Sequence, residues 1–277
     1  MTADAPFRAW IGKTDVAVED TISTRLLNEF RATLGPAMAD VVTVPPGLHW
    51  CLAPPTAAPD QLGVDGHPAK GGFLPPIPLP RRMWAGGEIT FLGEFAPHEL
   101  VTKTAEITDI QNKTGKSGSL CFVTVQNTYS TASGPVIRDT QNIVYREAAT
   151  EVLPVPDPIP QPNDFDVQSR VDVSEVTLFR YSALTFNAHR IHFDQAYARE
   201  AELYPDLVIH GPLQATYLLN FATRVSGLQP HRFSYRGLSP AIGVQRLTLG
   251  ACTDGKTLHL SVHGANGHKT MQAIAHW

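Results

Sequence analysis

The stretch GPLQATYLLNFATRVSG runs from Gly211 to Gly227. Leu213, Tyr217, Phe221 and Val225 recur every fourth residue, and Ala215, Leu218, Leu219 and Ala222 fill the faces between them. A helix that is apolar nearly all round has to be buried. Pro212 suits the first helical position and Gly227 the stop. Everything around this segment reads as sheet. Behind it come HRFSYRG, VQRLTLGACT, TLHLSVHGA and HKTMQAIAHW, runs of β-branched and aromatic residues broken by glycine or polar turns, with TDGK and GANGH as hairpin turns.

The first part of the chain has the same layout. A β-like run and a helical run, DVAVEDTISTRLLNEFRATLG, precede a Pro/Gly-rich region. Four strands follow: GEITFLGEF, ELVTKTAEITDI, SLCFVTVQNTYS and PVIRDTQNIVYRE. In the second part VDVSEVTLFRYSALTFNAHR stands in the opening place. Between the parts, Glu151 to Asp166 carries prolines at 154, 156, 158, 160 and 162, which neither pair in a sheet nor wind into a helix. We therefore expect an α+β chain of two repeats, 1–150 and 167–277, joined by a linker at 151–166. A sheet wrapped around a central helix, twice, is a double hot-dog. The matching region of the first part, DGHPAKGGFLPPIPLPRRMWAGG, is loop-like, so the first repeat is expected to be degenerate and to serve binding.

Composition narrows the function. The chain has 277 residues, 43 % of them hydrophobic and 17 % charged, with a formal net charge of −4. That balance supports a sizeable core and excludes general nucleic-acid binding. Cys51, Cys121 and Cys252 are scattered, as inert thiols of a reducing compartment would be. MTADAPFRAW lacks the pattern of a signal peptide and no apolar window approaches a membrane span, so a cytoplasmic protein is expected. NKTGKSGS contains Gly-Lys-Ser, but Ile110 stands where a P-loop needs glycine, and a hairpin turn fits better. GHPAKGG lacks the strand-then-helix setting too.

Chemistry concentrates in FNAHRIH, Phe186 to His192. On a regular helix Asn187 and His192 lie about 140° apart, whereas a turn entering HFDQAYAREAEL lets Asn187, His189 and His192 converge. A zinc reading of His-x-x-His wants a third ligand, and no Cys or Glu lies close in sequence. In LVIHGPLQ the backbone N–H of Gly211 opens the buried helix, where partial positive charge gathers and an oxyanion is held. An ordinary glycine cap is the plainer alternative.

YSALTFNAHRIHFDQAYA resembles the signature of the MaoC-like, R-specific enoyl-CoA hydratases. Their motif is Asp-x-Asn-Pro-aliphatic-His: Asn187 stands at the Asp position, His189 at the Asn, Arg190 at the Pro and His192 at the His. IHGPLQATYLL, with His210 and Gly211, resembles the family's His-Gly segment, which opens the hot-dog helix. LPPIPLPRRMWAGGEITF resembles the branch of type 2 hydroxyacyl-thioester dehydratases and of hydratases acting on mesaconyl-C4-CoA or itaconyl-CoA. The resemblance spans the chain from about Trp10 onward. It implies reversible addition of water to an enoyl-CoA thioester, without metal or cofactor. His192 would be the base, His189 would share the work, Asn187 would orient water and the Gly211 amide would hold the enolate oxygen. Arg81 and Arg82 are candidates for the CoA phosphates. Arg190, or one of that pair, is a candidate for the free carboxylate of a dicarboxylic acyl group. Trp84 and His210 are further candidate substrate contacts. Asn187 departs from the family's carboxylate and accepts no proton at neutral pH, which moves acid/base work onto imidazole. Dehydration of longer 3-hydroxyacyl thioesters is the nearest alternative. A hot-dog thioesterase needs an acid on the central helix, and 211–227 has none. A non-catalytic acyl-thioester binder is a third reading, and a homodimer of such chains is compatible with all of them.

Overall fold

The computed structural model describes residues 5–277 apart from 116 and 117. Met1 to Asp4 of the N-terminal stretch and the Lys116–Ser117 pair of the P-loop look-alike lie outside the described residues. On either side of that pair, Gly115 faces Gly118 across an antiparallel ladder.

Among the described residues ten strands form one sheet: β1 (Val18–Thr21), β2 (Arg81–Phe91), β3 (Leu100–Gly115), β4 (Gly118–Thr131), β5 (Gly134–Arg146), β6 (Val167–Val173), β7 (Arg232–Gly237), β8 (Gln245–Asp254), β9 (Thr257–His263) and β10 (Lys269–His276). Their spatial order is β1-β3-β4-β5-β2-β7-β10-β9-β8-β6. Read inward from each edge, the two sides follow one rule. The first strand of the part is at the edge, then the third, fourth and fifth, and the second lies at the centre. The repeated layout in the sequence is thus a repeated topology. The parts meet where β2 pairs antiparallel with β7, Gly86 opposite Arg236 and Gly87 opposite Tyr235. A side chain at Gly87 would overlap Thr140 O and the Tyr235 hydroxyl, which accounts for glycine in RMWAGG.

Helices α1 (Ala5–Arg8), α2 (Thr24–Leu34), α3 (Glu175–Leu184), α4 (Gln195–Glu200) and α5 (Gly211–Ser226) complete the regular structure with a few 3-10 turns. Ser23 caps α2 by accepting from Leu26 N, and Leu26, Leu27, Phe30 and Leu34 make its buried face. α5 is buried from Leu213 through Thr223 and ends on Gly227 at φ 75°. Its polar residues are bonded, as burial requires. Asn220 donates to Pro46 O and Thr216 O and accepts from Ala39 N, which stitches the 39–46 segment of the first part to the central helix.

Among the described residues the first part has no counterpart of α5. Its sheet residues Ile107, Ile110, Val123, Val125 and Tyr145 pack instead against Ile77 and, around it, Phe73, Leu74 and Leu79, an extended stretch. Residues 147–166 form neither helix nor strand but are pinned to the second part: Leu153 N donates to Leu203 O, Ile159 N to Asn266 O and Gln161 Nε2 to Gly264 O. No helix among the described residues is long and apolar enough to cross a membrane.

Candidate active site

After α3 the chain turns sharply, with Phe186 at φ 49°. Asn187 N donates to Ser182 O, and its Oδ1 accepts from His189 N at 3.0 Å. This side-chain turn starts the 3-10 helix Arg190–His192. Three residues per turn put His189 and His192 on one side, ring centroids 5.3 Å apart. Asp194 then caps α4 by accepting from Tyr197 N.

Opposite this turn runs the segment leading into α5. Val208 N donates to Ile191 O, and His192 Nδ1 lies 2.7 Å from Val208 O. A carbonyl only accepts, so Nδ1 carries the proton and Nε2 keeps its lone pair. The His192 ring stacks on His210 at 3.6 Å, and His210 Nε2 is 2.8 Å from Ser182 Oγ. His210 directly precedes Gly211, the first residue of α5, so the stacked imidazole at 192 lies near the helix N-terminus. Trp84 closes the other side of Gly211: a Cβ there would sit 3.0 Å from the indole Cε3. Trp84 in turn stacks on Tyr235 at 4.6 Å and meets Trp50 edge-on at 5.7 Å.

The first part reaches into this site as well. The loop holding Asp65, Gly66 and His67 lies against residues 188–190. Arg190 N donates to Asp65 O at 3.0 Å, and Arg190 Nη1 to Val64 O at 3.2 Å. Gly66 has φ +87°, and a side chain there would overlap Ala188 O, so only glycine lets the loops approach. His67 Nδ1 is 2.9 Å from Asp65 Oδ2, and its ring lies 4.1 Å from that of His189. Glu202 Oε1 approaches His189 Nε2 at 3.6 Å, longer than a hydrogen bond, while Oε2 accepts from Arg81 Nε at 2.8 Å. The result is a row of four imidazoles, His67, His189, His192 and His210, with carboxylates at the His67/His189 end and neutral partners at the His192/His210 end.

Burial holds His67, His192 and His210 uncharged. It pushes His192 well below the ordinary imidazole range, with His210 and His189 adding to the effect. It takes His210 to about 3. His67 falls to about 4, burial outweighing the hydrogen bond to Asp65. For Asp65 burial acts upward, but the hydrogen bonds from His67, with the charge of Arg82, more than offset it and keep the carboxyl well below its usual range. Glu202 is likewise held low, burial being outweighed by His189 and Arg81. The site at rest therefore offers neutral imidazoles at 67, 192 and 210 beside ionised carboxylates at 65 and 202.

Several candidate residues have partners that the sequence did not disclose. Arg81 and Arg82 are not a solvent-facing pair for phosphate: each is 9 % exposed. Arg81 is spent on Glu202 and lies over the Tyr204 ring, and Arg82 donates to Pro68 O. Arg190 is no free carboxylate partner. Its Nε and Nη2 both hold Asp194 Oδ2 and its guanidinium covers Tyr197. His210 is fully buried and touches His192 and Ser182, so it supports the site from beneath rather than lining it. Asn187 shapes the turn through Oδ1. Missed in the sequence were Asp65, His67, Glu202 and Ser182. The signal for the first pair was present, a carboxylate and an imidazole around a glycine in DGH, in a chain that lacks the motif carboxylate. The zinc reading of His-x-x-His wanted a third ligand and found none close in sequence; from far along the chain, Asp65 and His67 bring polar atoms to within 4.8 Å of that of His189 and of one another. With Asp65 bonded to His67 Nδ1 and arginines flanking, we read them as acid/base groups.

The family model for hydroxyacyl-thioester dehydratase type 2 matches residues 47–243. The chain belongs to that family. It is 39 % identical over 275 residues to the mesaconyl-C(4)-CoA hydratase of Chloroflexus aurantiacus, covering 98 % of each chain. It is 26 % identical to the mitochondrial hydroxyacyl-thioester dehydratase type 2 of Schizosaccharomyces pombe, over 84 % of this chain and 89 % of that one. Among solved structures, HtdX of Mycobacterium tuberculosis superposes with a TM-score of 0.69 at 17 % identity, over 96 % of this chain and all of that one (100 %). The fold is the double hot-dog of the MaoC-like dehydratases.

Proposed function

We propose that this protein is a hydro-lyase that adds water across, or removes it to form, the C=C of an enoyl-CoA thioester, with a C4-dicarboxylic acyl group such as mesaconyl-C4 or itaconyl preferred. One observation carries the reading: the unprotonated Nε2 of His192 belongs to a ring stacked on the residue that precedes the Gly211 amide. Conjugate hydration needs that combination, an imidazole acceptor for water and a backbone donor for the enolate oxygen. In this reading His192 faces the water, the Asn187 turn and His189 hold its surroundings, and the thioester oxygen lies on the N-terminus of α5. Losing one donor of that kind costs about 10²–10³ in rate. We assign Trp84, which lies against Gly211, as the wall of the acyl site, which would favour a short group over the longer 3-hydroxyacyl chains of the alternative reading. The repeats 1–150 and 167–277, joined by 151–166, act together, the first as the substrate-binding side. The CoA thioester is the partner, a cytoplasmic location goes with it, and a dimer of such chains is compatible with it.

The test is a screen of mesaconyl-C4-, itaconyl-, crotonyl- and longer enoyl-CoA thioesters by loss of enoyl absorbance, with free thiol titrated in parallel. The expected result is loss of the double bond without thiol release, fastest for the C4-dicarboxylic substrates. Thiol release with the double bond intact would make the protein a thioesterase.

A further inference from the structure

A water that gives up a proton in this site makes a cation of the imidazole that takes it, and the four imidazoles are not equally able to carry that charge. His192 is buried, bonded to a neutral carbonyl and stacked on His210. His210 is fully buried on a serine hydroxyl. An imidazolium at either place has no counter-charge within hydrogen-bond reach, and a buried charge is tolerated only when paired. His67 differs. Its Nδ1 is held by the Asp65 carboxylate at 2.9 Å, which fixes the tautomer, leaves the lone pair on Nε2 and stabilises the cation formed there. Its ring lies against His189, whose far side faces Glu202. The dyad is also held in place: Arg190 N and Nη1 grip the loop at Asp65 and Val64, Arg82 grips it at Pro68, and Gly66 allows the contact with Ala188.

We propose that His67, oriented by Asp65, is the group that takes the proton from the reacting water, so that the first part of the chain supplies a catalytic dyad as well as binding surface. The dyad stands in for the carboxylate that Asn187 replaces. The inference rests on the hydratase reading. In the hydration direction, the O–H bond of water breaks and its proton passes to Nε2 of His67. The oxygen bonds to the β-carbon and the C=C electron pair moves toward the thioester as an enolate. The proton then returns from Nε2 to the α-carbon, so one water is added and nothing is oxidised. His192 accepts the other hydrogen of the water and fixes its direction.

The test compares wild type with Asp65→Asn, His67→Gln and His67→Ala on the best enoyl-CoA from the screen. Asp65→Asn keeps size and hydrogen bonding but donates to Nδ1, which moves the ring proton to Nε2 and removes the base. Each substitution is expected to lower kcat about 10²-fold or more with KM within about threefold. The melting temperature should stay within a few degrees, the acidic limb of the kcat profile should change, and added imidazole should restore part of the His67→Ala rate. Groups facing His67 are Asp65, His189 and Arg82, so that limb reports on them together. An active wild type with kcat of Asp65→Asn within about threefold, a rise in KM alone, or activity lost to a chelator and restored by zinc would each overturn the dyad and leave the hydratase reading standing. A wild type inert on every enoyl thioester would sink that reading and the dyad with it.

Discussion

Acidification from pH 7 to pH 5 should destabilise this protein far more than its net charge suggests. His49 and His210 are 1 % and 0 % exposed and held at about 3, in both cases chiefly by burial. His67 is held at about 4. In the unfolded chain each titrates near 6.5. Below that value the unfolded state binds protons that the folded state refuses, so stability is lost as pH falls from about 6.5 toward 4. At pH 5 the loss is about 2 kcal/mol for each of the three. Asp139 works the other way. Burial raises it to about 6, so it takes up a proton in the folded state first and returns about 1 kcal/mol by pH 5. The net loss is roughly 5 kcal/mol before His192 is counted, a large part of a typical stability of about 5–15 kcal/mol. For a chain of this size that is a fall in melting temperature of about 10 °C. Thermal melts at pH 7, 6 and 5, with urea titrations for reversibility, measure it. His49→Gln should flatten the dependence by about 2 kcal/mol, since one proton-refusing group is gone. A melting temperature that moves less than about 3 °C between pH 7 and pH 5 would show that these imidazoles are not held neutral, and the charge assignments of the site would have to be redrawn.

Four substitutions test other parts of the structure. His192→Ala should reduce hydration by about 10²-fold or more with the far-UV spectrum unchanged, and near-wild-type turnover would remove this side chain from the mechanism. Asn187→Asp retains the acceptor for His189 N while placing a carboxylate beside the row, so the turn should survive and the pH profile of kcat should shift; an identical profile would place residue 187 outside the chemistry. Gly66→Ala forces a left-handed residue and an overlap with Ala188 O, and should cost about 1–2 kcal/mol together with most of the activity, read by melting and by turnover. Arg81→Met leaves Glu202 buried without its partner at a cost of about 3–5 kcal/mol. A rise in KM with stability intact would instead return Arg81 to the role of phosphate contact.

Local chemistry made much of this protein legible in advance. The all-round apolar pattern of 211–227, with proline at its start and glycine at its end, became a central helix with those limits. The eight runs read as strands fall on β2–β5 and β7–β10, because alternation of side chains and turn residues act over a few neighbours, although β2 already begins at Arg81, inside the stretch RRMWAGG that read as loop. NAHRIH was recognisable as chemistry because its residues are adjacent. The sequence did not disclose what each polar group would meet. Arg81 finds Glu202, Arg190 finds Asp194, and Asp65 with His67 arrives beside His189 from the other repeat. Those encounters depend on the register of β2 against β7 and on how closely Gly66 lets one loop approach another, distances set by packing between segments far apart in the chain. Periodicity along the chain fixes which residues form an element; only the docking of one repeat on the other decides which charges stand next to which imidazole.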